Sequence, residues 1–512
     1  MKFAKTVILT AISAFAMVAG AQLFADEKTN EPKRATINRA APVRAVAAQN
    51  QQNVAAAIRA SDTQAAIAAN VKGLQINARQ LETHQMRPAH IVGAVSDEGF
   101  DEKDAAGPVR ALIARSKRAT AGASAKMIER EISAMPKDAS SAAKLQLRSK
   151  RAVKRAPSGL DDLAAPPEPY LDVGAFGQAF HAAIKDNVVG YALRIGKNGQ
   201  TIYTLQWNWA QTPSDSSLGW SPQRRMHVAS ISKLITGMAM VRLLNEKGVS
   251  YDAKIINYLP GYWPKGSNIS KITFRHLLTH TSGFSTGGSS SDYQFMKSRV
   301  ASGVPASAIG TRDYENMNFG LCRILIAVIN GNINKNAVFP AFINDQLWDA
   351  ITINAYVQYV NQKVFAPAGV SGPSLDKPDA PARAYMFPAG NGWNSGNLAS
   401  MAGGAAWHMS INEILAVMHI FRRANAIVSP SKAQEALDAG FGVDRIIATP
   451  AGKLYDKNGR WRDGNQRTEQ SVAAFMPEGM DIVVFVNSPI GPNAASLRNL
   501  VRDAYLASVV EP

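Results

Sequence analysis

Apolar and polar positions are distributed very unevenly along this chain of 512 residues. Between residues 26 and 160 bulky apolar side chains are sparse and Phe100 is the sole aromatic. All eight Trp and all thirteen Tyr fall after residue 169. A packed core therefore belongs to the second part. There "VVGYALRIGKNGQTIYTLQWNWA" sets two runs of strand-forming residues about Asn198-Gly199, a dipeptide that favours a tight hairpin. The helix "ISKLITGMAMVRLLNEKG" follows, with Ile231, Leu234, Ile235, Met238 and Val241 as an apolar stripe and Gly248 as its stop. The pattern stays mainly helical to about residue 425. "KLYDK", "SVAAFMP" and "DIVVFVNS" then read as strands, the last two joined at "EGM", before a helix around 493–508. Strands at both ends with helices between predict an α/β (α+β) fold: an antiparallel sheet flanked by helices, with an all-helical lobe inserted.

The first part has a different character. Residues 1–25 have the form of a signal peptide: Lys2 and Lys5, the apolar stretch "VILTAISAFAMVAGA", then small residues at Ala19-Gly20-Ala21 or at Leu23-Phe24-Ala25. That stretch is shorter than the roughly 20 residues that span a bilayer. No Cys follows it, which argues against a lipid anchor there. The expectation is an exported protein, periplasmic or extracellular. Residues 26–164 form a basic, Ala-rich, low-complexity region, disordered or partly helical. Within 26–160 there are 23 Lys and Arg against 13 Asp and Glu, over half of the formal +17 charge. Such a composition offers little apolar surface to offset the entropy of ordering. It suits a spacer or pro-region, or an arm for anionic cell-wall or membrane surfaces. Nucleic acid is the weakest partner, because aromatic residues to stack on bases are missing. Residues 165–512 carry the expected catalytic domain. Its single cysteine, Cys322, lies in the apolar run "FGLCRILIAVI" and reads as a buried thiol.

Ser-x-x-Lys occurs four times, at Ser141/Lys144, Ser230/Lys233, Ser374/Lys377 and Ser429/Lys432, so the spacing alone means little. Ser230 and Lys233 differ by standing where a long apolar helix begins. Residues three apart share a helix face, so hydroxyl and amine can meet. Unpaired N–H groups at a helix N-terminus suit a developing oxyanion. An ordinary N-cap uses the serine and has no use for the lysine. To act as a base Lys233 must be neutral, far from its reference pKa near 10.4. Burial and a second nearby cation both act in that direction.

"VASISKLITGMAMVRLLNEKG", "INYLPGY" and "KITFRHLLTHTSGF" resemble the class C β-lactamase and D-alanyl-D-alanine carboxypeptidase family of serine hydrolases. "YENMNFGL", "YVNQKVFAPAGV" and "MAGGAAWHMSINEILAVM" extend the resemblance in the family's order, over roughly residues 170–508. The resemblance implies a serine β-lactamase or penicillin-binding-protein-like fold and an acyl-enzyme on Ser230, with Lys233 as the base. Tyr314 would shuttle a proton to the leaving group, and Asn316 would hold the substrate amide. "KNG" at Lys457, Asn458 and Gly459 would be the third motif. Lys457 would then bind a substrate carboxylate and supply the second cation. Backbone N–H groups of Ser230 and Arg460 would form the oxyanion hole. The same "KNG" occurs at 197–199 as a hairpin turn, so 457–459 can equally be a turn. Family members often carry Thr or Ser at the middle position. Asn458 departs from that, which argues against classical β-lactam or peptide-carboxylate recognition, and Arg460 and the long segment 285–312 are further features that would reshape the pocket.

Other chemistries are poorly supported. "HLLTH" has Leu277 where a zinc-peptidase helix needs its Glu, so His276 and His280 read as structural. No Gly-x-Ser-x-Gly elbow surrounds Ser230, and no cofactor is indicated. The expected substrate is a small molecule or peptide: a D-amino-acid peptide, a β-lactam or a small ester. The alternative is a penicillin-recognising sensor or cell-surface binding protein with little or no turnover.

Overall fold

The computed structural model describes residues 168–286 and 290–511. The expected leader at 1–25 and the basic region at 26–164 lie outside the described residues. Within them the strands run β1 (Tyr170–Leu171), β2 (Gly190–Lys197), β3 (Gln200–Gln211), β4 (Leu218–Gly219), β5 (Met226–His227), β6 (His408–Met409), β7 (Arg445–Thr449), β8 (Gly452–Arg462), β9 (Thr468–Phe475), β10 (Met480–Val486) and β11 (Val509–Val510). Asn198 and Gly199 turn the first hairpin with positive φ at both residues, 52° and 78°, as a primed turn requires. An antiparallel seven-stranded sheet has the order β4-β3-β2-β10-β9-β8-β7, so the two ends of the chain interleave at β2 and β10.

Strand β10 reads "MDIVVFV" without polar alternation because both faces of the sheet are covered. Ile482, Val484 and Val486 pack with Phe176 and Phe180 of α1 (Val173–Ile184) and with Leu500 and Val501 near the C-terminus. Val483 and Phe485 face the larger core. That core is built on α2 (Ile231–Lys247), with α3 (Phe274–Leu278), α4 (Tyr293–Ser302), α5 (Asn316–Ile329), α6 (Asn344–Val360), α7 (Ile411–Arg423) and α8 (Pro430–Asp438) around it; α9 (Leu497–Leu506) lies with α1.

The stripe expected on α2 understates its burial. Every residue from Ile231 to Leu244 except Arg242 is buried, because α2 runs between the sheet and the inserted helices, leaving no solvent face over its first three turns. The terminal helix is shorter than expected, Leu497–Leu506, and Pro477–Gly479 form a short 3-10 turn at the "EGM" hairpin.

Candidate active site

Strand β5 delivers the chain to Ser230. Ala229 has φ 47°, a left-handed conformation uncommon outside glycine, and Ser230 then enters helical geometry at φ −69°, ψ −4°. Ser230 occupies the N-cap position, yet its hydroxyl makes no capping hydrogen bond. Its Oγ lies 3.0 Å from Lys233 Nζ and accepts a hydrogen bond from Tyr314 Oη at 2.7 Å. Lys233 is fully buried, and Ser230 is 7% exposed.

Lys233 makes further contacts. Its Nζ donates to Asn316 Oδ1 at 2.6 Å and to the Gly404 carbonyl at 2.9 Å. Both are acceptors. A neutral amine has two hydrogens and one lone pair, so two pure acceptors claim the hydrogens and leave the lone pair to the Ser230 O–H. Asn316 opens α5, and Tyr314 lies two residues before it, which is why Tyr-x-Asn brings both groups to one side of Ser230. Expected to hold a substrate amide, Asn316 is thus placed by its Oδ1 on the lysine.

Tyr314 is held by His280, read from the sequence only as structural, and by the two lysines. Its ring stacks on His280 at 4.3 Å between centroids and 29° between planes. The ammonium positions of Lys233 and Lys457 each lie 4.9 Å from the Tyr314 ring centroid. His280 Nδ1 accepts the Glu315 N–H at 3.1 Å. Burial, then the Lys457, Lys233 and Arg312 charges, hold the His280 pKa well below its usual value, so the ring is neutral. Its structural role is thus a specific one, as a platform for the tyrosine. The buried Glu315 carboxylate accepts the Thr286 N–H and Oγ1 hydrogens, pinning the loop after His280. His276 closes a capping box with Thr273 at the start of α3.

Lys457, Asn458, Gly459 and Arg460 lie within β8, paired in register with Ala473, Val472, Ser471 and Gln470 of β9. They do not form a turn like 197–199. Gly459 runs against the backbone of the 228–230 segment: a Cβ there would lie 2.3 Å from Val228 O, 2.5 Å from Ser471 Oγ and 3.0 Å from Ser230 N. Only glycine permits that approach.

Lys457 is brought beside Tyr314, but with a carboxylate of its own. Its Nζ is 2.6 Å from Asp444 Oδ1, and both side chains are almost wholly buried. The Asn458 N–H donates to Asp444 Oδ2 at 3.3 Å, and Arg312 and Arg498 lie 3.8 and 3.9 Å from the same carboxylate. Burial opposes ionisation of Asp444; Lys457, by charge and hydrogen bond, and then Arg498 outweigh it, and its pKa falls. Lys457 is therefore a cation whose charge is partly matched from within the fold. Asp444 sits in "GFGVDRIIATP", with no spacing rule linking it to Lys457. The Asn458 Oδ1 is buried, with no hydrogen-bond partner among the described residues. Cys322 is buried and its thiol is pushed up by that burial.

A family model described as Beta-lactamase matches residues 176–506. Protein flp of Staphylococcus aureus (strain COL) is 25% identical over 178 residues, which cover 33% of this chain and 34% of that protein. Esterase/beta-lactamase LipL of Mycobacterium tuberculosis is 26% identical over 136 residues, 26% of this chain and 31% of LipL. The chain thus aligns with about a third of the length of these relatives. The solved structure of FmtA from Staphylococcus aureus shares the fold at a TM-score of 0.50 and 14% identity, covering 67% of this chain and 93% of that one.

Proposed function

The chain belongs to the Beta-lactamase family, and from that premise we infer that it is a serine hydrolase cleaving an amide or ester through an acyl-enzyme on Ser230. One observation carries the inference: a buried amine, a serine hydroxyl and a tyrosine hydroxyl converge, with Ser230 Oγ 3.0 Å from Lys233 Nζ and 2.7 Å from Tyr314 Oη. Lys233, with its hydrogens committed to Asn316 and Gly404, takes the Ser230 proton as Oγ attacks the carbonyl. The N–H groups of Ser230 and Arg460 receive the oxyanion, each contributing about 3–4 kcal/mol in comparable sites. Tyr314 relays a proton to the leaving group and later activates the water that releases the acyl group.

A small ester, or a peptide amide not gripped by a free carboxylate, fits this site better than a β-lactam. Asn458 stands in the third motif, and Asp444 shares the Lys457 ammonium that would otherwise meet a substrate carboxylate. The printed name of one relative, esterase/beta-lactamase LipL, is compatible with an ester substrate and equally with a β-lactam. The second reading, a sensor that acylates with little turnover, uses the same serine. Turnover of a 4-nitrophenyl ester that disappears in Ser230→Ala supports the hydrolase. Stoichiometric labelling by a penicillin or fluorophosphonate without turnover supports the sensor.

Export and an anionic-surface contact through residues 26–164 complete the proposal. The support is compositional: a leader-like start and a surplus of ten basic residues between 26 and 160.

A further inference from the structure

Three residues before the nucleophile lies His227, fully enclosed and unused by the chemistry above. It pairs across β5 and β6 with His408. Its Nδ1 is 2.9 Å from Glu469 Oε2 on β9, and its Nε2 is hydrogen-bonded to the carbonyl oxygen of Ala405. A carbonyl oxygen only accepts, so Nε2 carries a hydrogen. The remaining proton lies between Nδ1 and the Glu469 carboxylate.

The surroundings bear on the Glu469 carboxyl and on the neighbouring ring of His408. Burial raises the Glu469 pKa against the opposing pull of His227 and the Ser395 hydroxyl, with Asp463 adding to the rise. His408, 5.3 Å away between ring centroids, is held down at about 3 by burial and by His227, and stays neutral. Trp461 closes the other side edge-on at 5.2 Å.

The peptide that His227 grips adjoins the one that grips the base. Gly404 O receives Lys233 Nζ at 2.9 Å, and the next carbonyl, Ala405 O, receives His227. The N–H groups of Gly404 and Ala405 both donate to Met401 O, at 3.0 and 3.1 Å. His227 therefore fixes the carbonyl side of this turn. We propose that His227 and Glu469 are a positioning pair for Lys233: the pair orients the 404–405 turn so that Gly404 O claims one amine hydrogen and the lone pair faces Ser230. The proposal rests on Lys233 being the base in the hydrolase proposed above.

The test is the rate of Ser230 acylation by a fluorophosphonate, followed from pH 5 to 10 in the full-length protein and its variants. Gln places an amide nitrogen near the His Nε2 position and can still donate to Ala405 O. Asn reaches only as far as Nδ1. His227→Gln is expected to stay within about three-fold of wild type, whereas His227→Asn falls about ten-fold or more. In His227→Asn the acidic limb also moves to lower pH, because the lysine ammonium loses an acceptor that favours its charged form. Glu469→Leu, which releases the ring, is the second variant and is expected to follow His227→Asn, while Glu469→Gln follows wild type. Equal losses in the Asn and Gln variants, or a loss with an unmoved limb, would overturn the positioning role while leaving the hydrolase intact. No acylation of the wild-type Ser230 would overturn both.

Discussion

Gly459 offers a sharp test of how β8 serves the nucleophile. In Gly459→Ala the new methyl would stand 2.3 Å from Val228 O, 2.5 Å from Ser471 Oγ and 3.0 Å from Ser230 N. An ordinary C···O contact is about 3.3 Å or more, so β8 must retreat from the 228–230 segment by roughly 1 Å. Rotation of Ser471 does not relieve this: its Oγ donates to Val228 O at 2.8 Å, and the closest clash is with backbone. The retreat widens the gap between the Ser230 and Arg460 N–H groups. A misplacement of about 1 Å costs about 10²-fold, and loss of one oxyanion donor about 10²–10³-fold. The expected kcat is therefore down by about 10²-fold, or about 2.7 kcal/mol in the barrier. Crowding costs a further ~1–3 kcal/mol of stability. Steady-state kinetics on a 4-nitrophenyl ester, paired with urea unfolding, reads both. A kcat within three-fold of wild type would refute the idea that the close approach of β8 builds the oxyanion hole.

Three other outcomes are expected. Asp444→Ala leaves Lys457 buried without its closest partner and should cost about 3–5 kcal/mol in urea unfolding; a cost below ~1 kcal/mol contradicts the paired assignment. Asp481, buried beside Arg422, has its pKa pushed up to about 7. A folded pKa above the unfolded one means stability that is present below about pH 4 and lost as pH rises through 7. Asp481→Asn should thus gain on wild type between pH 5 and pH 8; a constant difference between the two would count against it. Deleting residues 26–160 should leave hydrolysis of a small ester unchanged and weaken retention on an anionic cell-wall polymer at low salt; equal retention would remove the proposed contact.

Much of the fold was legible because local chemistry and global architecture agree. Asn198-Gly199 admits few conformations besides the hairpin turn, and Gly248 ends α2 in the left-handed conformation as a C-cap should. Ser230 and Lys233 were legible because their spacing falls where a long apolar helix begins, which puts both on one face. Burial on α2 was underestimated, since Met240 and Thr236 lie off the apolar stripe and become interior only when the inserted helices close over them. Asp444 and His280 were harder still. Each acts on the site through a contact between distant segments, 444 with 457 and 280 with 314, which periodicity does not encode. His227 lies beside the motif, but its acceptors come from residues 405 and 469.

The central claim is that the Ser230 hydroxyl, deprotonated by Lys233, takes up the acyl group. Intact-protein and peptide mass spectrometry after a short incubation with a fluorophosphonate tests it most directly. The account predicts one adduct, on the peptide containing Ser230, absent from Ser230→Ala and formed at least about 10²-fold more slowly in Lys233→Met. An adduct on another residue, or undiminished labelling in Lys233→Met, would contradict it.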